Sequence, residues 1–170
     1  VGQSFDDLYI QANKSLSINP AAVEAQKDLK IVYSPIHGTG ITIVPQMLAA
    51  WGFENVTVVS EQAQPDGNFP TVVYPNPEEE EAMSIAKQKG QELDADLVMA
   101  TDPDADRVGL AVKNHKGEFQ LLNGNQIGSL LTYYVLSCKQ DKGELRDNDY
   151  IVKTIVTSNL ISDIGSSFDV

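Results

Sequence analysis

The residues best suited to chemistry are Thr101-Asp102-Pro103-Asp104-Ala105-Asp106-Arg107. Three carboxylates stand at alternate positions directly after an apolar run, residues 97–100, that reads as a buried strand. In a tight loop this spacing lets three carboxylate oxygens converge on one hard cation, and Mg2+ or Ca2+ takes oxygen ligands of that kind. Mg2+ also tends to leave positions open for a substrate phosphate. Without a cation the three carboxylates would repel one another, which an idle acidic turn has no reason to tolerate. Loops at the carboxyl ends of strands line the crevice where layered α/β sheets bind ligands. Asp102, Asp104 and Asp106 are therefore the candidate metal ligands, and the Arg107 that follows is more than an idle turn requires.

Other local patterns are weaker. An EF-hand loop begun at Asp102 would need Gly at its sixth position and Glu at its twelfth, where Arg107 and Lys113 stand. A haloacid-dehalogenase-type phosphatase would use Asp102 as nucleophile with Asp104 beside it, but Asp106 occupies that pattern's Thr or Val position. His37-Gly38-Thr39-Gly40 invites a phosphate-cradle reading. Ile43 stands where the third glycine of a dinucleotide fingerprint belongs, and no Gly-Lys-Ser/Thr follows. These glycines read as a tight turn with close packing. His37 is a candidate substrate contact lining the cleft; the competing reading is a turn or capping histidine. The run Glu78 to Glu81 points in several directions on a helix and reads as a solvated first turn favoured by the helix dipole. Trp51 reads as core rather than as a sugar platform, and His115 as a hairpin tip.

The elements that must position the aspartate loop follow from periodicity. Residues 1–28 read as a leading helix and linker. Strands are expected at 30–34, 55–59, 96–101, 108–113 and 119–122, the last two joined by a turn at Asn114-His115-Lys116-Gly117. Helices are expected at 43–51, stopped by Gly52, at 78–93 and at 125–138. Residues 62–77, rich in Pro, Asn, Asp and Gly, read as a long irregular loop. A further strand is expected at 150–156 and a helix-like segment at 159–168. Alternating strands and helices imply an α/β class, a three-layer α/β/α domain with a mixed, mostly parallel sheet.

Composition bounds the function. The 170 residues carry 12 basic and 24 acidic side chains, a formal net charge of -12. That balance excludes a general nucleic-acid binder and an anionic-membrane binder, since both need clustered Lys and Arg. A single cysteine, Cys138, excludes an internal disulfide framework and a Cys-rich zinc site. No apolar run approaches the roughly 18 residues of a membrane span, and no signal peptide opens the sequence. A cytoplasmic address is expected. The first residue is Val1 rather than Met, which suggests that something upstream has been removed.

The aspartate loop, read with four other segments, resembles the α-D-phosphohexomutase family, whose metal loop is Asp-x-Asp-x-Asp-Arg. Tyr33-Ser34-Pro35-Ile36-His37-Gly38-Thr39-Gly40 resembles the strand and glycine loop opening that family's second domain. Pro65-Asp66-Gly67-Asn68-Phe69-Pro70-Thr71, followed by Tyr74-Pro75-Asn76-Pro77-Glu78-Glu79, is similar to its next loop. Gly124-Asn125-Gln126-Ile127-Gly128 resembles a helix start, and Val152-Lys153-Thr154-Ile155-Val156-Thr157-Ser158 resembles the crossing into domain three. The flavour is that of the phosphoglucomutase/phosphomannomutase group.

The resemblance implies Mg2+ held by Asp102, Asp104 and Asp106, with Arg107 beside the transferring phosphoryl group. It implies a hexose or pentose phosphate as substrate and other domains of the same chain as partners. In that family a phosphoserine on domain one donates its phosphoryl group to the sugar phosphate, and the bisphosphate intermediate reorients and returns the other phosphate. The family's Thr-Ala-Ser-His-Asn-Pro type serine loop does not occur in this sequence. The implied layout is a leading segment at 1–28, domain two at 29–149 and a truncated start of domain three at 150–170. Such a fragment is expected to be inactive alone. Readings of a different class are a stand-alone divalent-cation or phosphosugar-binding module, and a phosphatase with an aspartate nucleophile.

Overall fold

The computed structural model describes residues 2–170. Contacts divide the chain into two compact units, one ending at Leu122 and one beginning at Asn123. This division falls before the 149/150 boundary read from sequence, because the long helix after Leu122 packs with the last helix.

The first unit opens with α1 (Gln3–Lys14) and the short α2 (Pro20–Ala25). Asn19 caps α2 by accepting the Ala22 N–H at 3.1 Å, and Pro20 takes the first helical position, where no N–H is needed. Strand β1 (Ile31–Ser34) follows, buried at all four residues. A 3-10 turn (Thr39–Thr42) leads into α3 (Val44–Trp51), which carries Pro45 in its first turn and ends at Gly52 in the left-handed region, φ 101°. Then come β2 (Val56–Val58), the one-turn α4 (Ser60–Ala63), α5 (Glu80–Glu92), β3 (Leu97–Thr101), β4 (Val108–Lys113) and β5 (Phe119–Leu122). The irregular loop read over residues 62–77 thus begins inside α4 and runs on to α5.

The five strands form one sheet in the order β2-β1-β3-β4-β5. β1 pairs in parallel with β2 on one side and β3 on the other, while β3–β4 and β4–β5 are antiparallel. The sheet is mixed as expected, with two of its four pairings parallel. The antiparallel β3–β4 pair has a simple cause: six residues join Thr101 to Val108, too few for a parallel crossover.

Alternation along the strands sorts the two faces. Val32, Val98, Ala100, Ala111 and Phe119 face α5, where Ala82, Met83 and Ala86 complete a buried apolar cluster. Met99 and Thr101 turn to the opposite face, on the side of Met47 and Leu48 from α3. α1 packs in turn on α3. Helices on both faces give the α/β/α arrangement. The long loop crosses β4 at Gly109, where a Cβ would sit 2.2 Å from the Pro77 carbonyl oxygen, so only glycine admits the crossing.

The strand order also defines a place for a ligand. From β1 the chain leaves through α3 to β2 on one side, then returns past β1 to β3 and continues away to β5. The carboxyl ends of β1 and β3 therefore lie where the strand order reverses, the place at which α/β sheets bind ligands.

In the second unit α6 (Gly124–Asp141) starts with a capping box: Asn123 accepts the Gln126 N–H at 2.9 Å, and Gln126 accepts the Asn123 N–H at 2.9 Å. α7 (Leu160–Ser167) packs against it, and the Tyr133 and Phe168 rings meet edge to face at 5.7 Å. Cys138 is buried and free. The strand expected at 150–156 is not formed. The segment has no regular structure, and Tyr150, Val152, Ile155 and Val156 are exposed. β-prone residues make a strand only beside a partner, and this unit contains none among the described residues. No helix among the described residues is long and apolar enough to cross a membrane.

Candidate metal centre

β3 delivers the loop. Val98 and Ala100 anchor the strand in the core, so the chain leaves the sheet at a fixed height after Thr101, whose hydroxyl is hydrogen-bonded to the Tyr33 hydroxyl at 2.8 Å. Asp102 is buried; Asp104 and Asp106 are exposed. Ala105 adopts φ 60° and donates its N–H to the Asp102 carbonyl at 3.0 Å, which reverses the chain. The Arg107 N–H then donates to Asp102 Oδ1 at 3.0 Å, so the first carboxylate closes the loop begun by its own residue.

This turn brings one ligand atom from each of Asp102, Asp104 and Asp106 within 4.8 Å of the others. Arg107 Nε lies 3.6 Å from Asp102 Oδ2 and 3.7 Å from Asp106 Oδ1. No cation pairs with Asp104 among the described residues. Two carboxylates thus share one guanidinium and the third has none.

The electrostatics follow from that crowding. A hydrogen bond with the Asp102 carboxyl, then the negative charges of Asp104 and Asp102, hold the Asp106 carboxyl above the usual carboxylate range, with Arg107 pulling the other way. This crowding of like charges is a repulsion that a divalent cation would remove. The donor set therefore fits a hard cation: three carboxylates, no soft ligand, and a loop closed by its own backbone. Arg107 keeps its charge firmly, raised first by a hydrogen bond with the Tyr74 hydroxyl and then by Asp102 and Asp106, against partial burial.

His37 is placed differently. It is buried, at φ 58°, with Ile36 before it at φ 45°. Its Nδ1 lies 3.1 Å from the Gln64 carbonyl, which can only accept, so the proton is assigned to Nδ1. Its Nε2 lies 2.9 Å from the Thr71 hydroxyl, which in turn accepts from Gln62 Nε2 at 3.0 Å. Both ring nitrogens are engaged inside the protein, the geometry of a turn histidine.

The structure brings together Asp102, Asp104, Asp106 and Arg107, and sets His37 in the neighbouring loop. Tyr74, whose hydroxyl raises the Arg107 pKa, and Thr39, which donates to the Pro103 carbonyl, are given no role by local spacing. Each meets its partner across loops far apart in the chain, so no local spacing marks it. Beside the aspartate loop lies a cleft of about 510 Å³ lined by Gly40, Met47, Trp51, Met99 and Asp104. Trp51 is half-buried there, and its indole N–H has no hydrogen-bond partner among the described residues.

Comparison with known proteins gives a consistent picture. A family model described as phosphoglucomutase/phosphomannomutase, alpha/beta/alpha domain II, matches residues 7–117. A phosphoglucomutase of Staphylococcus saprophyticus is 39% identical over 143 residues, 84% of this chain and 25% of that protein. A probable phosphomannomutase of Haemophilus influenzae is 35% identical over 162 residues, 95% of this chain and 31% of that protein. Among solved structures, a putative phosphomannomutase from Thermus thermophilus shares the fold with a TM-score of 0.68 at 22% identity, over 95% of this chain and 33% of its own. The chain spans about a quarter to a third of the length of the curated relatives it matches.

Proposed function

Because the chain belongs to the phosphoglucomutase/phosphomannomutase family, as its α/β/α domain II, we propose that it is the metal-loop domain of a phosphohexomutase. The whole enzyme would interconvert sugar 1-phosphates and 6-phosphates through a phosphoserine carried outside this sequence. The observation that carries this reading is the convergence of three carboxylates at the carboxyl end of β3, in a chain of that family.

Asp102, Asp104 and Asp106 hold Mg2+ in this reading. Bound there, Mg2+ supplies charge neutralisation and alignment of the phosphoryl oxygens. The Arg107 side chain, 52% exposed, keeps its Nε toward Asp102 and Asp106 and presents its remaining N–H groups to the phosphoryl group as a supporting contact. Asp102 has one oxygen accepting an amide and a side chain only 8% exposed, which suits holding a cation rather than attacking phosphorus as a phosphatase nucleophile would. His37 serves the architecture of the neighbouring loop. A hexose or pentose phosphate is the substrate class, other domains of the same protein complete the site, and the setting is cytoplasmic carbohydrate metabolism.

The chain with Mg2+ and glucose 1-phosphate is expected to produce no glucose 6-phosphate in a coupled assay, because the phosphoryl donor lies elsewhere. Turnover by this chain alone would contradict the reading. Release of inorganic phosphate would favour the phosphatase instead.

A further inference from the structure

We propose that the loop from His37 to Gly40, at the carboxyl end of β1, is the positioning element of the aspartate loop. It would act by clamping the Pro103 backbone between Asp102 and Asp104. The inference rests on the reading of the three aspartates as metal ligands and adds what sets their spacing.

Thr39 makes two bonds to one atom: its N–H donates to the Pro103 carbonyl at 2.8 Å and its Oγ1 donates to the same oxygen at 3.1 Å. Gly38 lies flat against the same residue. A Cβ at position 38 would stand 2.4 Å from Pro103 Cα, 2.5 Å from its oxygen and 2.8 Å from its carbonyl carbon. Those are backbone atoms, so a side chain at position 38 would have to displace the loop itself. Gly40 packs as closely at the base, against side-chain atoms: a Cβ there would meet the hydrogen-bonded Tyr33 hydroxyl and Thr101 Oγ1. The aspartate loop is thus gripped on both sides of Asp102, at Thr101 and at Pro103.

A clamp positions only if it is itself fixed. Ile36 and His37 both lie in the left-handed region that non-glycine residues seldom adopt, and such a conformation persists where surrounding structure determines it. Here the His37 N–H donates to the Gln62 carbonyl at 2.9 Å, and the His37 carbonyl accepts the Asp66 N–H at 3.0 Å. With its ring bonded to Gln64 and Thr71, His37 fastens the glycine loop to the long loop after β2. Three loops, from the ends of β1, β2 and β3, form one connected frame. Three mutually repelling carboxylates need such a frame, because ligands free to splay would have to be gathered when the cation binds.

The test compares Mg2+ affinity by calorimetry with amide exchange of Ala105 and Arg107 in the chain and its variants. Gly38→Ala is expected to weaken Mg2+ binding about tenfold or more, as the added methyl pushes Pro103 outward. Thr39→Val, which adds nothing to the interior, is expected to weaken it about threefold, and Thr39→Ser to restore it. The valine variant carries the test if Gly38→Ala does not fold. In both weakening variants the Ala105 and Arg107 amides should exchange faster while the melting temperature of Thr39→Val stays near that of the parent. Unchanged affinity and exchange in Thr39→Val would overturn the proposal, as would equal losses in the valine and serine variants. If the parent chain binds no Mg2+, the metal reading fails by itself. Faster exchange of those two amides would then still uphold the clamp, and unchanged exchange would remove it too.

Discussion

Replacing Asp104 by Asn is expected to weaken Mg2+ binding about 100-fold and to leave the metal-free chain at least as stable as before. Asp104 is exposed and pairs with no cation among the described residues, so the fold draws nothing evident from its charge. Its neighbours Asp102 and Asp106 are both acidic, and the Asp106 carboxyl is held high first by a hydrogen bond with Asp102 and then by the negative charges of Asp104 and Asp102. Removing one member relieves the metal-free loop and subtracts one of three anionic ligands from the loaded one. A unit charge about 4 Å from another near a protein surface is worth on the order of 4 kcal/mol, and the retained amide oxygen recovers part of the ligand's contribution. Calorimetric titration of the two chains checks this. Affinities within threefold of each other would mean that Asp104 is not a ligand.

Met83→Ala is expected to be the most damaging of the simple core truncations, costing about 2–5 kcal/mol. Met83 is fully buried on α5, in the cluster that also holds Val32, Val98 and Ala100. α5 is the helix that lies against both β1 and β3, the strands whose ends carry the clamp and the aspartates. The shortened side chain leaves a void that a helix packed on rigid strands cannot easily close. Thermal unfolding by circular dichroism should show a fall of about 10 °C. A fall below about 2 °C would show that α5 settles onto the sheet without Met83, and that this cluster is not what secures the two strands.

The convergence of the three aspartates was legible in the sequence because it is local. Asp102, Asp104 and Asp106 sit within one turn, and the apolar strand before them fixes where that turn emerges. Helix boundaries set by single residues were legible for the same reason, as at Gly52. The frame around the loop was not. Gly38 reads as a generic turn glycine until Pro103 is seen lying on it, and Thr39 gains its role only when its N–H and hydroxyl meet the Pro103 carbonyl. Strand order decides those meetings, and no spacing within either segment encodes it. Residues 150–156 failed in the opposite direction: their β-prone composition is plain, but propensity without a neighbouring strand produces none. The extent of antiparallel pairing is contained in the short β3–β4 connection, which the general α/β pattern of the chain conceals.

The central claim is that the aspartate loop binds a divalent cation within the frame formed by its neighbours. Titrating the isotope-labelled chain with Mg2+ while recording backbone amide spectra tests it most directly. The account predicts saturable shifts centred on residues 101–107, extending to His37, Gly38, Thr39 and Gly40, and lost when Asp102, Asp104 and Asp106 are all replaced by Asn. Saturable shifts elsewhere with this loop silent, or no saturable change at all, would contradict it.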